Sequence, residues 1–275
     1  LVKPDTYSTI RSEAEFLDHL HRSGVSVAHP LRQANGDWLL TLNAVEGQRY
    51  ALLFTFAEGV QISAQTDLHV IERYGDLVAR LHRAADAYAG PADRAPITFK
   101  ALVDEGIERL AVLRPQFTDA IAYFRQIADL LRPQLETWPT ASPYYGLCHG
   151  DVSPSNVHVA PDGSITLFDF HLAGPCWRIY DVASFVSTIA YKRLPAALSS
   201  AFLEGYQHIR PLAPSEYQAI PVIQILRKYI TLSLFTNAIE PFGSYQLTDE
   251  FMQMTLDQIK SIVPELYSTP TATNS

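Results

Sequence analysis

Between Gly146 and Phe170 a chain dominated by helical periodicity breaks into short strand-like pieces around a turn, and that interruption limits the folds open to it. On its N-terminal side, Ile10, Ala14, Leu17 and Leu20 recur at three and four residues, which predicts a helix from about Tyr7 to Ser23, ended by Gly24. Trp38–Leu42 and Gln48–Phe56 are rich in aromatic and branched residues and predict two strands paired as a hairpin across Ala44–Gly47. Helical periodicity then covers Asp67 to about Tyr88, and about 100–112 and 117–135. Asn156–Ala160 and Ser164–Phe170 are strand-like and joined by the turn Pro161-Asp162-Gly163. Further helices are expected at about 180–191, 195–209, 214–237 and 248–263. The pattern is that of an α+β chain, with a small strand-bearing part at 1–58, a connector near Phe56–Gly59, and a helical part with an embedded hairpin at 59–267. The small polar residues 268–275 are expected to form a disordered tail.

Composition narrows the classes further. Hydrophobic residues make up 47 % and charged residues 18 %, against about 25 % charged in an ordinary soluble domain. With 21 Lys+Arg and 29 Asp+Glu the net charge is −8, too acidic for a protein held mainly by nucleic-acid phosphates. Cys148 and Cys176 are too few for a disulfide framework, and no apolar run is long enough for a transmembrane helix. A cytoplasmic protein with no membrane or nucleic-acid partner is the expectation.

The chemistry concentrates in Gly146-Leu-Cys-His-Gly-Asp-Val-Ser-Pro-Ser-Asn156 and Ile165-Thr-Leu-Phe-Asp-Phe170. Phosphoryl transfer from ATP needs a carboxylate that orients the attacking hydroxyl and accepts its proton. It also needs hard oxygen ligands for Mg²⁺, which takes few protein ligands. Asp151 and Asn156 on one loop, with Asp169 arriving at the end of an adjacent strand, meet both needs. Asp169 stands between Phe168 and Phe170, an unlikely setting for an idle charge.

His149-Gly-Asp151, Pro154, Asn156 and Asp169-Phe170 resemble the signature of the aminoglycoside phosphotransferase/choline kinase family, which is related to the protein kinases. Gly174–Arg178 and Tyr180–Ala183 resemble a branch that includes homoserine-kinase-like enzymes and a bacterial stress-response Ser/Thr kinase. The resemblance covers roughly 10–265. It implies a protein-kinase-like two-lobe fold, with a small β-containing N-lobe and a mainly helical C-lobe. It further implies Asp151 as catalytic base, Asn156 and Asp169 as Mg²⁺ ligands, His149 as support for the catalytic loop, and Asp181 as an anchor of that loop's backbone. Glu13 matches the helix glutamate that pairs with a phosphate-binding Lys, with Glu15 as its competitor, and Lys3 is the candidate for that Lys. Leu53–Gly59 resembles the connector that holds adenine, with Phe54 and Phe56 on the nucleotide side. His82 reads as a packed or capping histidine, Cys148 as a small core residue, Trp177 as packing, and Arg178 as a salt-bridge partner.

Two features depart from the pattern. The first glycine is Gly24, already past the first helix, so the Gly-rich phosphate loop is absent from this sequence. The expectation is a truncated N-lobe lacking about 30–50 residues, the size of two short strands with their loops. The second is His171, where the family commonly has an acidic residue; it is a candidate on the substrate side. The expected reaction is Mg-ATP-dependent transfer of the γ-phosphate to a hydroxyl of a small molecule: an amino alcohol, an aminoglycoside or a sugar-like acceptor. The acidic balance favours a cationic acceptor. The alternatives are a protein Ser/Thr kinase of the stress-response type and a non-catalytic nucleotide-binding pseudokinase.

Overall fold

The computed structural model describes residues 7–45, 47–93, 99–237 and 246–267; Lys3 and the tail 268–275 lie outside them. The chain divides into two compact units, one built from Asp5–Pro96 and Thr140–Leu212, the other from Leu1–Pro4, Ile97–Pro139 and Ala213–Ser275.

The first unit opens with helix α1 (Tyr7–Arg22), which buries Ala14, Phe16, Leu17 and Leu20 along one stripe. Strands β1 (Leu39–Ala44) and β2 (Gly47–Leu52) form the expected antiparallel hairpin, with Leu39 opposite Leu52 and Ala44 opposite Gly47. Trp38 and Leu39 anchor it on Ala14 of α1. The second strand stops at Leu52, four residues before the expected end, because the chain changes partner there. Leu53 accepts a hydrogen bond from the Leu31 amide and the Thr55 amide donates to the His29 carbonyl, at 2.8 and 3.0 Å. Pro30, which has no amide to offer, stands opposite Phe54.

Helix α2 (Leu68–Asp86) starts where the Asp67 carboxylate accepts the His69 amide at 2.8 Å. Strands β4 (Val157–Val159) and β5 (Ile165–Leu167) form the embedded hairpin, whose turn is fixed by the Asp162 carboxylate accepting the Ser164 amide at 2.8 Å. The segment 53–59 is pinned to this hairpin. Val60 and Val159 exchange both backbone hydrogen bonds, at 3.0 and 2.9 Å. Gly59, at φ +106°, lies so close that a Cβ there would meet the Val159 carbonyl oxygen at 2.1 Å, so only glycine fits.

A third strand pair was not legible as such. Strands β3 (Tyr145–Cys148) and β6 (Gly174–Trp177) pair antiparallel, Tyr145 opposite Trp177 and Cys148 opposite Gly174. They are four residues each and carry glycine and proline, so they show no alternation to read. Helices α5 (Arg178–Tyr191) and α6 (Ala196–Ile209) complete the unit.

The second unit is helical. After a short π-helical turn at Lys100–Asp104 come α3 (Glu105–Leu113), α4 (Thr118–Glu136), α7 (Pro214–Asn237) and α8 (Asp249–Ile262). Arg109 donates to the Ser233 hydroxyl at 3.0 Å and joins α3 to α7. The Tyr229 hydroxyl donates to the Phe124 carbonyl at 2.8 Å and joins α7 to α4. Arg132 grips Asp104 with two bonds, at 3.0 and 2.7 Å. Among the described residues, no helix is long and apolar enough to cross a membrane.

Candidate active site

The loop after β3 is held from below by buried groups. Asp181, in the first turn of α5, is fully buried and accepts the His149 amide on Oδ2 and the Gly150 amide on Oδ1, at 2.8 and 2.9 Å. Gly150 adopts φ +85°, and a Cβ there would meet the Leu172 carbonyl oxygen at 2.2 Å. The His149 ring is also buried. Its Nδ1 accepts the Asp151 amide at 3.2 Å, so Nε2 carries the hydrogen that is donated to the Phe168 carbonyl at 3.0 Å. Burial holds this imidazole below its ordinary pKa, and it lies against Phe170 with centroids 4.3 Å apart. One histidine therefore ties the loop to the end of β5.

His82 on α2 extends the support. Its Nε2 lies 3.0 Å from Asp181 Oδ2 and its Nδ1 lies 2.8 Å from the Tyr206 hydroxyl on α6. Burial alone would push the Asp181 carboxyl up; the hydrogen bond from His82 and the charges and amides around it bring it below the usual carboxylate range. Cys148 is buried beside this group with its Sγ toward the carbonyls of Gly146, Cys176 and Trp177. Arg178 is also fully buried, donating to the Asp86 carboxylate and to the Leu147 carbonyl.

On this base, Asp151 and Asn156 face each other across the loop. Asn156 Nδ2 donates to the Asp151 carboxylate at 2.8 Å and to the Asp151 carbonyl at 2.9 Å. This fixes the amide orientation and turns Oδ1, the remaining acceptor, away from the carboxylate. Asp169 follows β5 in a left-handed conformation, φ 66°, with its side chain about 45 % exposed. A β-strand would have continued Phe168-Asp169-Phe170 straight on. The left-handed turn instead buries Phe170 and presents the carboxylate to a cavity. His171 Nδ1 lies 2.5 Å from Asp169 Oδ1; that hydrogen bond lowers the carboxyl pKa and raises that of the imidazole.

The cavity holds about 620 Å³ and is mostly apolar. Leu17, Ala28, Phe54, Phe56, Phe168 and Phe170 form its walls, and Glu13, Asp169 and His171 gather on one side. Glu13 and Glu15 are separated by this arrangement: Glu13 faces the cavity, while Glu15 pairs with Arg11 at 2.9 Å one turn away. Phe56, which lines this cavity, is 85 % exposed. His158 escaped the sequence reading. Its Nδ1 donates to the Ala57 carbonyl at 2.7 Å and its ring meets Phe168 edge-on, so it latches the 53–59 segment to β4. Its only advance signal was its place in the hairpin between two valines, which does not separate an inward histidine from an exposed one.

The structure thus brings Asp151, Asn156 and His149 together on one loop held by Asp181 of α5, and Glu13, Phe54, Phe56, Asp169 and His171 around one cavity. Lys3 falls outside the described residues.

A family model described as the phosphotransferase enzyme family matches residues 2–219. An uncharacterized protein of Synechocystis sp. is 34 % identical over 224 residues, 79 % of this chain and 60 % of that protein. The homoserine kinase of Rhizobium johnstonii is 30 % identical over 223 residues, 78 % of this chain and 66 % of that protein. The chain thus spans less than two thirds of either relative's own length. Among solved structures, an amicoumacin kinase in complex with AMP-PNP, Ca²⁺ and its antibiotic superposes with a TM-score of 0.76 over 96 % of this chain and 80 % of that one, at 22 % identity. The fold is therefore kinase-like.

Proposed function

The chain belongs to the phosphotransferase enzyme family, and on that premise we propose that it transfers the γ-phosphate of ATP to a hydroxyl of a small molecule. The observation that carries this reading is the Asp151–Asn156 pair, joined at 2.8 Å on a loop whose backbone is held by a buried carboxylate. The relatives support it by name: one is a homoserine kinase, and the solved neighbour is an amicoumacin kinase with a nucleotide analogue and a divalent cation.

Residues 1–58 then act as the small lobe and 59–267 as the large one, in a protein of the cytoplasm. Adenine enters the apolar cavity between Leu17, Ala28 and the phenylalanines, flanked by the backbone of 54–57. Hydrogen bonding restricts that edge: the Thr55 amide is taken by His29 and the Ala57 carbonyl by His158.

The donor set fits Mg²⁺, since the Asp169 carboxylate and the Asn156 side-chain carbonyl are hard oxygens and no thiol competes. When bound, the ion neutralises phosphate charge as the γ-phosphoryl group departs. The residues do the rest. Asn156 keeps the Asp151 carboxylate in one orientation. Asp151 accepts the proton of the acceptor hydroxyl as its oxygen forms the new bond to phosphorus; the bond from phosphorus to the β,γ-bridging oxygen breaks, and ADP leaves. His171 holds one oxygen of Asp169 and leaves the other for the cation.

The test is a screen for ADP formation with purified protein, Mg-ATP, and panels of hydroxylated amines, aminoglycosides, sugars and protein substrates. Acceptor-dependent turnover confined to a small-molecule panel is expected. Phosphate transfer to protein alone, or ATP binding without transfer to any acceptor, would overturn the reading.

A further inference from the structure

Away from the cavity, α2 and α6 touch backbone to backbone. A Cβ at Gly205 would lie 1.8 Å from the Glu72 carbonyl oxygen, and one at Gly75 would lie 2.0 Å from that of Phe202. Such an approach fixes the two helices against each other, and with them the side chains at the crossing. His208 and two glutamates converge there, with His69 beside Glu72. The Glu72 carboxylate lies 3.4 Å from His69 Nδ1 through one oxygen and 3.6 Å from His208 Nδ1 through the other. Glu204 stands one turn before His208 on the same face of α6. Ligand atoms of Glu72, Glu204 and His208 all lie within 4.8 Å of one another.

We propose that Glu72, Glu204 and His208 form a binding site for a divalent transition-metal ion of the zinc class, separate from the cation position of the reaction. Mixed imidazole and carboxylate donors suit zinc, whereas magnesium and calcium take oxygen alone. The two carboxylates bring a charge that one divalent ion cancels. The donors come from two helices whose spacing is already set, so an ion draws in side chains without moving backbone. His208 and Glu204 are exposed, which gives the ion an entry path and room for water as a remaining ligand. The buried group His82, Cys148 and Asp181 offers a similar donor list. There the imidazole and the carboxylate are already committed to Tyr206 and to the loop amides.

An ion at the crossing bridges α2 and α6, the helices that carry His82 and Tyr206. It therefore acts as a clamp on the pair that supports Asp181, and its effect is on stability.

The test uses the full chain without nucleotide, stripped with chelator and titrated with zinc chloride in excess Mg²⁺, which holds the oxygen site of the reaction. The expected result is one zinc ion bound per chain and a raised melting temperature. Glu204→Gln/His208→Gln should weaken this binding by at least about tenfold and remove the melting shift. Should the double variant fold poorly, His208→Asn alone, checked for an unchanged melting temperature in chelator, carries the same comparison. Zinc binding and melting shift equal to wild type in a folded variant would overturn the site, as would a wild-type chain that binds no zinc.

Discussion

Asp151 is the residue on which the proposed chemistry turns. Asp151→Asn keeps the shape and the contact with Asn156 but cannot take a proton, so kcat should fall by about 10²–10⁴ while nucleotide affinity and melting temperature stay close to wild type. Steady-state kinetics with a calorimetric nucleotide titration checks both halves; retained turnover would remove Asp151 from the mechanism. Asp169→Ala should instead weaken nucleotide binding in the presence of Mg²⁺ and leave binding in chelator unchanged. Gly59 belongs to the same scale but to stability. Gly59→Ala places a Cβ into the Val159 carbonyl and forces a positive φ, which should cost at least about 1–2 kcal/mol in urea unfolding. Asp151, Asn156 and Asp169 were legible as candidates because their spacing in the chain is a local pattern; that Asp151 and Asn156 pair and that Asp169 lines the cavity came from the structure. His158 was not, because its role depends on a carbonyl a hundred residues away.

At the scale of elements, the loop that carries Asp151 is held by a chain of groups from three helices that ends at one carboxylate. Asp181 on α5 takes two loop amides, His82 on α2 binds the same carboxylate, and Tyr206 on α6 orients His82. Asp181→Ala leaves two amides and an imidazole unpaired in the interior, at about 1–3 kcal/mol each, so a loss of at least about 3 kcal/mol is expected. Tyr206→Phe removes one hydroxyl and should cost about 1 kcal/mol, with a larger effect on kcat than on nucleotide affinity. Equal melting temperatures for wild type and Asp181→Ala would show that the loop is held otherwise. The helices here were legible from periodicity. The β3–β6 pair was not, since four residues interrupted by glycine or proline carry no period, and only mutual pairing makes them strands. Nor was the end of β2 at Leu52, which is set by competition from residues 29–31.

Across the whole molecule, two fully buried groups under the loop, His149 and Asp181, tie stability to pH in the same direction. Burial holds His149 neutral with a lowered pKa, so the unfolded chain takes up a proton near pH 6.5 that the folded chain refuses. Its contribution is complete above about pH 6.5 and is lost as the pH falls through that value. Asp181 is lowered as well, so its contribution is present above the ordinary carboxylate value of about 3.9 and is lost as the pH falls toward its folded value. The contribution of His149 should therefore fall between about pH 7.5 and 5, against the opposite trend of His171, and His149→Gln should remove that fall in urea titrations at each pH. A His149→Gln profile parallel to wild type would contradict the assignment. The amino-acid sequence by itself determined the helical periods, the two hairpins and the carboxylate–amide spacing, because each is a local pattern read over a few turns of chain. Only the tertiary structure decided that Glu13 rather than Glu15 faces the cavity, that Asp169 turns left-handed toward it, and that His82, Tyr206 and Asp181 meet under the loop. Those outcomes depend on which distant backbone and side-chain groups come to share one low-dielectric interior, where an unpaired polar atom is costly.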